Sequence, residues 1–160
     1  MVYPNSSDIA NTVAHTDRSM RGDYAMLLLR LWTGAMLIAH GSPKVSDGAT
    51  KLTDSVVKMG FPAPDVFAWL ATLSEFGGGI LLVLGLGVRP AAFFAATTMA
   101  VAAFIRHADD PFGKKELALT YLVILIVFMI VGGGRFAIDA IIKRKRDQRM
   151  ATRALEPVQQ

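Results

Sequence analysis

The sequence predicts an all-α fold: a four-transmembrane-helix bundle with both termini in the cytoplasm. Three observations predict it. The chain is 52% hydrophobic over 160 residues, and its mean hydropathy is +0.40, which is high for a soluble domain of this length. Four apolar runs stand out, at about Tyr24–Gly41, Val66–Val88, Ala91–Ile105 and Leu117–Val131. Lys and Arg cluster at the ends of those runs. That is a membrane pattern rather than a surface that reads nucleic acid.

Residues 1–23 form a polar N-terminal tail that carries acids and a proline. No apolar core follows a basic start there, so no cleavable leader is expected. The membrane domain covers 24–142 and a basic C-terminal tail covers 143–160. Crossing the hydrocarbon takes about 20 helical residues. The first two runs suffice; the third and fourth are short and recruit flanking residues such as Pro90, Arg106, Lys115 and the Gly132–Gly134 run. Helices of a soluble bundle would keep a polar face, and these do not. Between spans one and two, ATKLTDSVVKMG places Leu52, Val56, Val57 and Met59 at helical spacing, as in an amphipathic helix lying in the interface. Gly60, Pro62 and Pro64 end it and open span two.

Four spans put both termini on one side. That side holds ten Lys and Arg residues and the other holds six, with Arg30 inside a span. The positive-inside rule then makes the terminal side cytoplasmic in a bacterial-type inner membrane, crossed several times. There is no cysteine, which excludes disulfides and thiol redox chemistry by this chain itself. His107 with Asp109 and Asp110 is too sparse a set for a metal, so no metal site is expected.

Two charged residues lie inside the apolar runs, where a charge costs at least about 2.5–3.5 kcal/mol. Arg30 lies about 10 Å from the cytoplasmic edge and Glu75 about 20 Å from it, counted at helical rise. A short carboxylate at that depth is paired, protonated or facing a wet cavity. Arg30 reaching outward, or His40 at the outer end of span one, are its candidate partners. Gly34 and Gly41 share a stripe with Arg30, while Gly78 and Gly79 share a face with Glu75. Small residues let helices approach, so spans one and two are expected to pack through these stripes. Two readings of the cluster stay open. It is an ion pair that sets helix register, or it is a site that handles a proton or faces a quinone, with His40 donating to a carbonyl. In HGSPK, His40, Gly41 and Lys44 read as the cap that ends the first helix. In GGGRFAID, Arg135 and Asp139 sit at i,i+4 and can pair, or Asp139 can meet Arg89 at the interface.

The order LLLRLWTGAMLIAHGSPK, GFP, LATLSEFGGGILLVLGLGVRP and GGGRFAID over residues 24–142 resembles the DoxX family of small four-helix membrane proteins. One departure is Ala137, where the family often carries Ser. The resemblance implies an inner-membrane bundle. Its relatives include the membrane subunit of a thiosulfate:quinone oxidoreductase, so it also implies a place in membrane redox complexes. The functional expectation is an integral subunit of a quinone-linked oxidoreductase assembly, with Glu75, Arg30 and His40 lining a polar pocket. No cofactor motif is present; a quinone and other subunits of a membrane complex are the expected partners besides the bilayer. The rivals are a non-catalytic assembly subunit and a small proton-coupled transporter. Four spans without a broken helix speak against the transporter.

Overall fold

The computed structural model describes the backbone of residues 6–155 and the side chains of 20–152. Six α-helices follow in order: α1 Ser6–Ser46, α2 Thr50–Lys58, α3 Pro64–Leu84, α4 Val88–Val101, α5 Phe112–Val131 and α6 Ile138–Leu155. A π-helical turn, Ala102–Arg106, extends α4, and the described residues contain no strand. Three segments are long and apolar enough to cross a membrane: Met20–Ser46 within α1, α3, and Val88–Arg106. The fourth long helix, α5, begins with Lys114, Lys115 and Glu116 after Phe112-Gly113, so its uncharged run is 117–131. At helical rise that run is about 22 Å long.

α1 starts at Ser6 and α6 runs through the basic segment to Leu155. Both terminal regions read as tails are therefore helical over their described residues. The loop after α1 carries the expected short helix, α2. Val56 of α2 is buried and packs in a small cluster with Ala49 and Ala68, so α2 rests on the bundle with its inner face.

α1 packs on α3, α3 on α4, and α4 on α5. The closest approach is between α1 and α3. A Cβ at Gly34 would lie 2.8 Å from the Gly79 carbonyl, and one at Gly79 the same distance from the Gly34 carbonyl. Gly41 sits as tightly on the backbone of Phe76. Gly78 is turned elsewhere: a side chain there would point at Ala91 and Ala95 of α4. The α1-facing stripe of α3 therefore includes Gly79 without Gly78. α4 contributes Ala91, Ala92, Ala95 and Ala96 to the core, small side chains that let it lie close to both neighbours. Leu37, Leu82, Leu125 and Phe128 fill the centre and are fully buried.

The outside of the bundle is apolar. Leu28, Trp32, Phe94, Phe104, Val123 and Ile130 are each at least 61% exposed. Large apolar side chains standing outward on several helices at once suit hydrocarbon and not water.

Candidate functional site

His40 does not end α1. The helix runs on through Gly41, Ser42 and Pro43 to Ser46. Pro43 supplies no amide for the Ala39 carbonyl, and the Ser42 hydroxyl donates to that oxygen instead, at 3.3 Å. Gly41 is used for its contact with Phe76, and Lys44 is one turn beyond His40 on a continuous helix. The HGSPK stretch is therefore helix interior, which corrects its reading as a cap.

This extra turn decides the partner of Glu75. Helical side chains lean toward the helix N-terminus. Lys44 stands above Glu75 and leans back down, and its ammonium donates to Glu75 Oε2. The Glu75 side chain is 5% exposed and that of Lys44 is 27% exposed. A carboxylate buried this deeply in an apolar helix needs such a partner. The same lean carries Arg30 away from Glu75, toward the turn that closes α3.

Arg30 therefore lies outside the Glu75 cluster. It is 2% exposed, and its Nη2 donates to the Phe136 carbonyl at 3.4 Å. Its guanidinium covers Gly85, whose positive φ of 73° closes α3 and where any side chain would collide with Arg30. Asp139, across the same junction, acts on it electrostatically. Arg30 is a pin at the junction of Gly85 and Phe136, away from Glu75, which corrects its placement in the polar pocket.

Asp139 has a structural post of its own. Its carboxylate accepts from the backbone amides of Gly87 at 3.0 Å and Val88 at 3.1 Å. Its own amide donates to the Gly85 carbonyl at 3.0 Å. A carboxylate here meets both the free amides and the positive end of α4. Arg135 donates to the Met20 sulfur at 3.4 Å and Arg89 to the Ile130 carbonyl at 3.2 Å. Neither cation is therefore the partner of Asp139. Ala137 is 1% exposed, against Gly85 and Gly133, which explains why a small residue stands at that position.

Around the Lys44–Glu75 pair lies a cavity of about 240 Å³. Leu37 and His40 of α1, Met99 of α4 and Tyr121 of α5 line it, and Leu52 and Val56 of α2 roof it. His40 meets the Tyr121 ring edge-on, with centroids 6.0 Å apart. Ser74 and Thr98 tie α3 to α4 beside it through a 2.6 Å hydroxyl contact. At the mouth, the π turn closes with the His107 amide donating to the Ala102 carbonyl at 3.1 Å. Its wider winding brings Ala102, Arg106 and His107 all to the cavity wall. His107 Nδ1 lies 2.7 Å from Asp110, which Lys114 also contacts at 3.1 Å. Its hydrogen bonds to His107, first, and to Lys114 hold the Asp110 carboxyl below the usual carboxylate range.

Sequence reasoning missed Tyr121, Arg106 and Lys114 as wall residues. Tyr121 carries a phenol within an otherwise apolar run, and that was the signal available. The places of Arg106 and His107 depend on a π turn, which no residue pattern in AAFIR announces.

The comparisons with known proteins bear on this geometry. The DoxX family model matches residues 25–108, which carry the Lys44–Glu75 pair, His40 and Arg106. This chain belongs to the DoxX family. A Haemophilus influenzae protein described as uncharacterized is 32% identical over 123 residues, covering 72% of this chain and 89% of the relative. The Escherichia coli inner membrane protein YqjF is 27% identical over 129 residues, covering 77% of this chain and 95% of the relative. No solved structure matches. The chain is a multi-pass membrane protein of this family.

Proposed function

We propose that this DoxX-family chain is an integral subunit of a quinone-linked oxidoreductase assembly, and that its cavity takes the quinone headgroup. The observation that carries the reading is the Lys44–Glu75 pair held in an apolar-walled cavity with His40 and Tyr121. The donor set fits a quinone. An ammonium, an imidazole N–H and a phenol can each donate to a carbonyl oxygen, while Leu37, Met99 and Ala118 supply apolar wall. The volume is below the roughly 300–1,000 Å³ of sites that enclose drug-sized ligands. One ring with its tail left in the bilayer suits it. Glu75 accepts or returns the proton that accompanies a change of quinone redox state, and Lys44 holds its charge in place. The electrons come from a partner subunit that carries the redox group. The name of the Escherichia coli relative supports an inner-membrane location, and the Lys and Arg bias supports cytoplasmic termini.

Glu75→Gln in the assembled complex tests this. Quinone turnover should fall by at least two orders of magnitude while the protein still inserts and assembles. Unchanged turnover removes Glu75 from the chemistry. A second reading has its own support: the pair joins α1 to α3 directly, as a purely architectural clamp would. On that reading Glu75→Gln lowers stability and leaves the rate per assembled complex intact.

A further inference from the structure

α6 is fastened to the bundle at its start. Asp139 binds the turn between α3 and α4 through its amide and both carboxylate oxygens. Arg144 folds back, with Nε on the Ala140 carbonyl at 3.2 Å and Nη2 on the Arg135 carbonyl at 2.5 Å. The helix therefore begins at the end of the spans, with one edge turned to the protein.

One half of its circumference is cationic. At 100° per residue, Lys143, Lys145, Arg146 and Arg149 fall within one half of the helix. All four are exposed and make no hydrogen bond or ion pair among the described residues. Asp139 is the acid on that half, and the backbone amides of α4 already hold it. Asp147 falls outside it. The same half carries exposed apolar side chains: Ile138, Ile142 and Met150, the last two 54% and 52% exposed. Cations interleaved with apolar groups, starting where the spans end, match the boundary between headgroup and acyl chain.

We propose that this face of α6 binds the phosphate headgroups of anionic phospholipids. Four cations next to a span, unpaired among the described residues, supply the charge complementarity that draws acidic lipids to a membrane protein. Ile142 and Met150 add contacts that a free anion in water cannot use.

The test uses the full chain in mild detergent, exposed to an equal mixture of phosphatidylglycerol and phosphatidylcholine, with bound lipid counted by native mass spectrometry. The wild type should retain phosphatidylglycerol at least tenfold over phosphatidylcholine. The quadruple variant Lys143→Gln, Lys145→Gln, Arg146→Gln and Arg149→Gln should lose that preference with its melting temperature unchanged. Rising salt should erase the preference in the wild type, a readout that needs no variant. Equal retention of the two lipids overturns the proposal, as does a preference that survives the four substitutions. Displacement of phosphatidylglycerol by millimolar inorganic phosphate also overturns it, because the face would then be a site for free anions.

Discussion

Removing either partner of the Lys44–Glu75 pair should not cost the same. Lys44→Met leaves a carboxylate at 5% exposure that has no other ion pair among the described residues. An uncompensated buried charge costs about 3–5 kcal/mol. Glu75→Gln leaves a lysine that is 27% exposed and has a flexible stem. That ammonium can turn toward the cavity mouth, so the loss is nearer about 1–2 kcal/mol, that of an imperfectly satisfied polar group. The double variant Lys44→Met/Glu75→Gln removes both charges and should lie within about 2 kcal/mol of the wild type. The coupling energy is then about 2 kcal/mol or more. Reversible unfolding in mixed micelles, followed by helical circular dichroism, measures all four corners of the cycle. Additive single losses would refute the pair as an energetic unit. A Glu75→Gln loss larger than that of Lys44→Met would refute the burial argument.

Gly79→Ala should cost about 1–3 kcal/mol, because its methyl meets the Gly34 carbonyl at 2.8 Å and backbone cannot yield cheaply. Gly77→Ala, two residues earlier and with nothing within 4 Å, should instead gain up to about 1 kcal/mol; thermal melts of the pair separate contact from propensity. Asp139→Ala should cost about 2 kcal/mol by stripping the cap from α4, and the Gly87 and Val88 amides should exchange faster in deuterium-exchange spectra. Asp110 titrates below its ordinary value in the folded chain, so its contribution to stability is present above the unfolded carboxyl pKa of about 3.9 and lost as pH falls through the lower folded value. His107→Ala should move that titration upward, read by carboxyl carbon chemical shifts, and an unmoved titration would remove the His107 contact as its cause.

The four long helices were legible because apolar runs are local: LLLRLW and LVILIVF declare themselves within a dozen residues. Glu75 was legible as a buried carboxylate for the same reason. Its partner was not. Placing the end of α1 at His40 took Lys44 off the helix and left Arg30 as the nearest cation by depth. Two facts reverse that choice. Pro43 is absorbed into the last turns of α1, and both side chains lean toward the helix N-terminus, so Lys44 moves in and Arg30 moves away. The close packing of Gly34 and Gly79 followed a readable stripe. The capping role of Asp139 did not, because it joins residues 51 and 52 positions apart.

Arg30 also sets an order in time. Its one hydrogen bond among the described residues spans 106 residues of sequence, from α1 to the segment that follows α5. While the chain is being synthesised, four further helices, α2 to α5, emerge before Phe136 exists to receive that guanidinium. Until then the nascent bundle carries an unmet cation, a mark of incompleteness that membrane quality control can read. Chains truncated after Val131 should therefore be cleared faster than full-length chains in a pulse-chase, and Arg30→Leu should slow that clearance. If Arg30→Leu leaves the half-life of the truncated chain unchanged, the arginine is not the mark.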